Sequence, residues 1–203
     1  MNALLPQTQE AEQSPLGLLL YAKNAGLARQ AERAIERLSV AGWERRSVRG
    51  EDVPLLANEL ARRGRRVVGV TGDDLLEEWL AAGNVLDARL ARSTQPWDDP
   101  RAVYGAPALC LVGTPDASLE GRKRIAICNR YRNLAERYVQ RLEARGCEIE
   151  RVYISGALEN VQLIGLADFI IDVVVTGETA RRSGLVVREM IARSDLAVIA
   201  TLP

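Results

Sequence analysis

A chain of 203 residues with 27 basic and 27 acidic side chains has no net charge to draw it onto nucleic acid or an anionic membrane. Its composition, 47% apolar and 27% charged, is that of an ordinary water-soluble globular protein, and no apolar run approaches the roughly 18 residues of a membrane-spanning helix. With no histidine anywhere, Ser-His-Asp and Cys-His catalysis, a histidine base and His-ligated zinc are all excluded.

Residues 1–15 are polar and read as a poorly ordered tail. No basic segment followed by an apolar core marks a secretory leader there, so the expected location is the cytoplasm. Residues 16–21 are a short apolar run, a buried strand. Residues 25–38 follow helical spacing, with Leu27, Ala31, Ala34, Ile35 and Leu38 on one face and Arg29, Glu32, Arg33 and Glu36 outside. Residues 44–48 predict a weak strand. Pro54, just after Asp52, predicts a helix with Pro in its first turn and Asp52 as N-cap. Residues 67–70 are a second buried strand, and Thr71-Gly72-Asp73-Asp74 turns it into a helix over 75–82.

Residues 93–107, rich in Pro and Asp, read as loop. Residues 108–112 predict a strand, and Gly113-Thr114-Pro115 a crossing between lobes. A second unit follows, with strands at 124–128 and 148–154 and helices at 133–144 and 158–164. A buried strand at 169–175 ends in Thr176-Gly177-Glu178-Thr179, and residues 197–200 are a last strand. Alternating strands and helices predict parallel α/β architecture in two lobes. The expected division is 16–113 plus 187–203 for the first lobe and 114–186 for the second, with the last strand returning to the first lobe. A cleft between such lobes is where ligands bind.

The strand at 169–175 carries one charge, Asp172. A lone carboxylate in an apolar run needs a partner or a ligand. The turn that follows offers free backbone N–H groups and two hydroxyls, either a seat for a phosphate or a simple capped helix start. Asp168, just upstream, reads as a helix or turn cap, or as a second carboxylate facing a sugar or a hydrated metal ion. Glu159 reads as a first-turn helix glutamate. Thr71, Gly72 and Asp73 form a second strand-to-helix turn able to seat a phosphate. Arg49 could clamp a phosphate with its guanidinium fork or lie solvated in a loop. Lys23 and Lys123 are the two lysines among the basic residues, and Lys23, at the end of the first strand, is either a phosphate contact or an exposed charge. The cysteines, Cys110, Cys128 and Cys147, have no C-x-x-C spacing and read as buried reduced thiols. A metal here would be a hard ion held by oxygens, magnesium above all.

Taken together, Glu159, Gly165, Ala167, Asp172, Thr176, Gly177 and Thr179 fall in the register of the ATP phosphoribosyltransferase signature, and this stretch resembles that family. The segment from Gly69 to Asp74 is similar to the family's Gly-Ile-Thr-Gly-x-Asp, and Arg49 to Pro54 to its Arg-x-x-Asp-Ile-Pro. Arg124-Ile125-Ala126-Ile127 and Tyr131-Arg132-Asn133-Leu134 look like its strand and following loop. The resemblance implies a two-lobed fold like type II periplasmic binding proteins, with the active site between the lobes. It implies transfer of phosphoribosyl from phosphoribosyl pyrophosphate to N1 of ATP with magnesium, the first step of histidine biosynthesis. Thr176, Gly177, Glu178, Thr179 and Ala180 would hold the 5-phosphate, with Asp168 and Asp172 near the ribose hydroxyls and Glu159 close by. Lys23, Arg49, Thr71, Gly72 and Asp73 would serve pyrophosphate and ATP. The length resembles the family's short form, which implies a homodimer and a regulatory subunit like histidyl-tRNA synthetase.

The chain departs from the pattern at the first strand's end. Tyr21-Ala22-Lys23-Asn24 stands where the family has Pro-Lys-Gly-Arg, and Arg29 lies too far along the next helix to count as its substitute. Ala180 replaces the signature's final Leu or Met, and the strand around Ala108 lacks an expected arginine. These departures leave open a divergent relative that binds a phosphorylated ligand without the ATP reaction, and a transferase with another nucleophile.

Overall fold

The computed structural model describes residues 17–202 other than 24, 98 and 157, and the backbone alone at 25 and 159. The expected tail at 1–15 lies outside the described residues.

Among the described residues, ten strands form two five-stranded sheets. The first contains β1 (Leu18–Ala22), β2 (Glu44–Val48), β3 (Val67–Gly72), β4 (Leu90–Gln95) and β10 (Leu196–Thr201), in the order β2-β1-β3-β10-β4. The second contains β5 (Ala108–Gly113), β6 (Arg122–Cys128), β7 (Glu148–Ile154), β8 (Phe169–Val174) and β9 (Val186–Arg193), in the order β7-β6-β8-β5-β9. Each sheet is mixed. β1 pairs parallel with β2 and β3, while β10 runs antiparallel to β3 and β4. β6 pairs parallel with β7 and β8, while β5 runs antiparallel to β8 and β9. The last strand does return to the first sheet, as its isolation after the second unit predicts.

The helices α1 (Ala25–Ile35), α2 (Val53–Arg62) and α3 (Asp73–Ala81) pack on the first sheet. Alternation along β1 sends Leu19 to the face covered by α1 and Leu20 to the face covered by α2. α1 buries Leu27, Ala31, Ala34 and Ile35, the stripe its spacing predicts, and burying each of the two large side chains is worth about 1.5–3 kcal/mol. On the second sheet α4 (Arg132–Glu143) buries Ala135, Tyr138, Val139 and Leu142. The short α5 (Leu158–Leu163) and α6 (Glu178–Arg182) lie on the other face, where Leu158 and Ala180 pack with Ala126 and Ile170. One buried cluster includes Leu19 and Val70 from the first sheet, Trp97 from the crossing and Tyr138 and Phe169 from the second, so the two cores are continuous.

The strands change sheet at places other than 113–115 and 187. β5 and β9 both belong to the second sheet. β5 is buried along its whole length and needs a partner on each edge, which β8 and β9 supply. The chain therefore crosses at 96–107 and again at 194–195. The two crossings touch: Ser194 N–H donates to the Pro107 carbonyl at 2.8 Å, and Trp97 N–H to Asp195 Oδ1 at 2.9 Å. Gly113-Thr114-Pro115 turns off the end of β5 toward β6 in the same sheet.

Candidate functional site

Between the sheets lies a cavity of about 710 Å³, within the range of small-molecule sites. One wall comes from α1 and the start of α3, another from the crossings, and a third from Arg130, Tyr131 and the end of β8. A smaller recess of about 230 Å³ sits behind residues 176–180 and shares Asp172, Val173, Val175 and Thr176 with the main cavity.

β8 delivers the second-sheet wall. Phe169, Ile170 and Ile171 are buried, and Asp172 is half-buried rather than buried. Its Oδ1 accepts the N–H of Val173 at 2.8 Å. After Val174 the chain turns at Gly177, whose φ of +68° is the left-handed conformation that disfavours a side chain. The turn is held against the crossing by Val103 N–H donating to the Val175 carbonyl at 2.8 Å. Thr176 and Thr179 are exposed, and Glu178 is spent on a surface ion pair with Arg182 at 2.6 Å. Ala180 is half-buried against the cluster containing Ala108 and Val174.

One carboxylate expected nearby is not brought there. Asp168 lies at the other end of β8, roughly 20 Å from the turn at about 3.3 Å per strand residue. Its Oδ2 accepts the Arg124 N–H at 2.8 Å, and its own N–H donates to the Arg124 carbonyl at 2.8 Å, so it stitches β6 to β8. The side chain of Glu159 lies outside the described residues.

Of the first-lobe candidates, only Gly72 lines the cavity. Thr71 is fully buried and its hydroxyl donates to the Gly50 carbonyl at 2.7 Å, fastening β3 to the turn before α2. Asp73 is half-buried and absent from the cavity lining; it pairs with Arg92 at 2.9 Å, and burial raises its pKa. Arg49 is exposed and pairs with Glu51 at 3.0 Å. Lys23 is exposed and absent from the cavity lining. Pro54 stands in the first turn of α2 as expected, whereas Asp52 makes no side-chain cap.

The neighbour of Asp73 takes its place. Asp74 is buried at the cavity wall, where Oδ2 accepts from the Tyr131 hydroxyl at 2.6 Å and Oδ1 from the Ser194 hydroxyl at 2.6 Å. Burial and the Asp74 carboxylate push the Tyr131 pKa well up. The crossing contributes Asp99, whose two oxygens accept from Arg101 at 3.0 and 2.9 Å. Those bonds hold the Asp99 pKa down at about 2, with a smaller contribution from Arg29. Arg29 and Arg33 of α1 and Arg130 after β6 join Arg101 in the lining, four guanidinium groups beside the carboxylates of Asp74, Asp99 and Asp172. Arg29 thus reaches the cavity despite its distance along the helix. Spacing gives α1 its buried stripe but not what the flank of that stripe confronts, and no sequence signal joins it to residue 130. The chemistry this arrangement suits is the binding of a polyanion beside a carboxylate.

The sequence profile of the family described as HisG: ATP phosphoribosyltransferase matches residues 49–202. The ATP phosphoribosyltransferase of Symbiobacterium thermophilum is 36% identical over 100 residues, 49% of this chain and 42% of the relative. That of Pseudomonas savastanoi pv. phaseolicola is 32% identical over 149 residues, 71% of this chain and 59% of the relative. The chain thus spans between about two-fifths and three-fifths of the curated relatives it matches. Among solved structures, the ATP phosphoribosyl transferase (HisG:HisZ) complex from Thermotoga maritima superposes with a TM-score of 0.63 at 23% identity, covering 91% of this chain and 87% of that one. The periplasmic aliphatic sulphonate binding protein SsuA of Escherichia coli superposes with a TM-score of 0.55 at 15% identity, over 91% of this chain and 64% of that one. The fold is the two-lobed α/β fold of periplasmic binding proteins.

Proposed function

The chain belongs to the ATP phosphoribosyltransferase family, and we propose that it transfers phosphoribosyl from phosphoribosyl pyrophosphate to N1 of ATP as the first step of histidine biosynthesis. In this reaction a bond forms from the adenine N1 to ribose C1 while the bond from C1 to pyrophosphate breaks, and the electron pair leaves with pyrophosphate. No nucleophile of the protein's own is required. The protein has to align two substrates and neutralise the leaving group, which a chain without histidine can do with arginines and backbone N–H groups.

One observation supports the reading above the others: Asp172 and Thr176, two residues of the family signature, line the same cavity as Arg29, Arg33 and Arg130. In the proposed complex the turn at 176–180 seats the 5-phosphate and Asp172 lies beside the ribose. Among the described residues no three acidic, cysteine or histidine side chains converge on a metal position, so we assign no metal ligand and derive no step from one. Magnesium would enter with the polyphosphates of the substrates. We further propose a cytoplasmic homodimer working with a regulatory subunit like histidyl-tRNA synthetase.

The test is turnover with ATP, phosphoribosyl pyrophosphate and magnesium, following phosphoribosyl-ATP by absorbance, with pyrophosphatase to pull the equilibrium. It is run with and without the cognate regulatory subunit. Turnover in either case is the expected result. Binding of phosphoribosyl pyrophosphate without turnover in either case would instead support a non-catalytic relative that binds a phosphorylated ligand. Two observations favour that second reading: the family match begins at residue 49, beyond β1 and α1, and Lys23 lies outside the cavity lining.

A further inference from the structure

Along one flank of the buried stripe of α1, Gly26, Arg29, Gln30 and Arg33 line the cavity, together with Leu27 of the stripe itself. Residues three and four apart share a helix face, so Arg29 and Arg33 stand one turn apart and repel each other. The helix has acidic residues at the right spacing to neutralise them, Glu32 and Glu36. Both line a different recess, with Tyr21 and Arg45. Nor does the crossing neutralise them. Asp99 influences Arg29, but both of its oxygens are engaged by Arg101. Neither Arg29 nor Arg33 forms an ion pair with another described residue. Arg29 and Arg33 are both exposed, and at the head of the flank a Cβ built on Gly26 meets nothing within 4 Å. Arg130 adds a third positive charge from the second-sheet side, tied only loosely to Glu51 at 3.8 Å.

We propose that Arg29 and Arg33, with Arg130 opposite, form a clamp for a diphosphate or triphosphate group, and that this clamp takes the place of Lys23 at the end of the first strand. The inference rests on the transferase reading for the identity of the ligand, but the clamp itself requires only that the cleft bind a polyphosphate. A guanidinium fork matches two phosphate oxygens at once, which a lysine ammonium does not. Two forks one helical turn apart suit a chain of linked phosphates better than a single one.

The experiment is calorimetric titration of the full chain with phosphoribosyl pyrophosphate and, separately, with inorganic pyrophosphate. The proteins are wild type, Arg29→Ala, Arg33→Ala, the double variant and Lys23→Ala. Each arginine should contribute about tenfold in affinity and the pair about a hundredfold, as expected for hydrogen bonds to a charged group. Lys23→Ala should bind within about twofold of wild type. Thermal melting checks folding, and the pair Arg29→Gln with Arg33→Gln, which keeps helix-compatible side chains, replaces any alanine variant that melts early. A double variant that binds both anions like wild type, or a Lys23→Ala protein that loses as much as the double, overturns the clamp. Anion affinity that depends on the two arginines in a chain showing no turnover upholds the clamp and sinks the transferase reading. A wild-type chain that binds neither anion sinks both.

Discussion

The hydroxyl of Tyr131 donates to Oδ2 of Asp74 at 2.6 Å, joining the start of α3 on the first sheet to the turn before α4 on the second. Ser194, in the return crossing, donates to the other oxygen at 2.6 Å, so one buried carboxylate ties together both sheets and the crossing. A buried acceptor stripped of a donor costs more than the bond itself is worth. Tyr131→Phe should therefore lower the unfolding free energy by about 1–3 kcal/mol, read from urea denaturation. The bond also predicts a pH response. The Tyr131 pKa is raised in the folded state, so the unfolded chain loses this proton first, and stability falls as pH rises above the ordinary tyrosine value of about 10. The alkaline loss should be smaller in Tyr131→Phe. Identical slopes in the two proteins would remove Tyr131 from that role.

A second tie lies one turn along α3. The Glu78 carboxylate accepts the N–H of Asn133 at 2.7 Å, its side-chain amide at 2.6 Å, and the N–H of Leu134 at 2.8 Å. α4 has no side-chain cap of its own at Tyr131, so an acid from the other lobe caps it. Glu78→Ala should cost about 1–2 kcal/mol and speed amide exchange at Asn133 and Leu134 ahead of the rest of α4. Exchange there that matches wild type would show that the first turn of α4 stands without Glu78.

The Asp99 carboxyl owes its low pKa, about 2, first to the two hydrogen bonds from Arg101. Removing the guanidinium in Arg101→Ala should return Asp99 toward the ordinary carboxylate range near 4, measured by carboxyl-carbon NMR titration. The sign follows from the native pairing. Its contribution to stability is present above the unfolded pKa and is lost as pH falls through about 2. A value that stays near 2 in the variant would mean that the backbone N–H of residue 101, which also donates to Asp99 at 3.0 Å, and Arg29 hold it without the guanidinium.

What was legible in the sequence was what local pattern controls. The buried strands β3, β5 and β8 are continuous apolar runs, and α1 shows its buried stripe in its spacing. β4 and β9 were not legible. Each lies at a sheet edge, with most residues exposed and little apolar alternation, so nothing in LARSTQ or VVREMIAR marks a strand until β10 or β5 pairs with it. The site divides the same way. Asp172 and the Gly177 turn are consecutive in sequence and were readable. Arg29, Arg130 and Ser194 are far apart in the chain and meet only through the crossings. Asp73 and Asp74 differ by one position, and helical geometry turns one to Arg92 of β4 and the other to the cavity wall.

Asp172 is half-buried and lines both the main cavity and the recess behind the turn. If it serves the ribose, Asp172→Asn keeps the shape of the strand and removes only charge. Turnover should fall by tenfold or more while the unfolding free energy from urea denaturation stays within about 0.5 kcal/mol of wild type. A variant that is mainly unfolded, yet active in its folded fraction, would make Asp172 a structural residue of β8.

The turn at 176–180 separates backbone shape from hydroxyl chemistry. Gly177 has φ of +68°, and an added Cβ would lie 3.3 Å from Val103 Cγ2. Gly177→Ala should therefore cost about 1 kcal/mol or more in stability and disturb the Val103–Val175 tie as well as ligand affinity. Thr176→Val and Thr179→Val keep the backbone and remove exposed hydroxyls. Each should leave stability nearly unchanged and weaken phosphoribosyl pyrophosphate by about 1–3 kcal/mol, read by calorimetry. Ribose 5-phosphate, which lacks the pyrophosphate, should lose as much, because the turn is proposed to hold the 5-phosphate alone. Unchanged affinity for both ligands in the two valine variants would move the 5-phosphate seat away from these hydroxyls. The contrast with the α1 arginines, whose loss should spare ribose 5-phosphate, then tells which end of the substrate each wall holds.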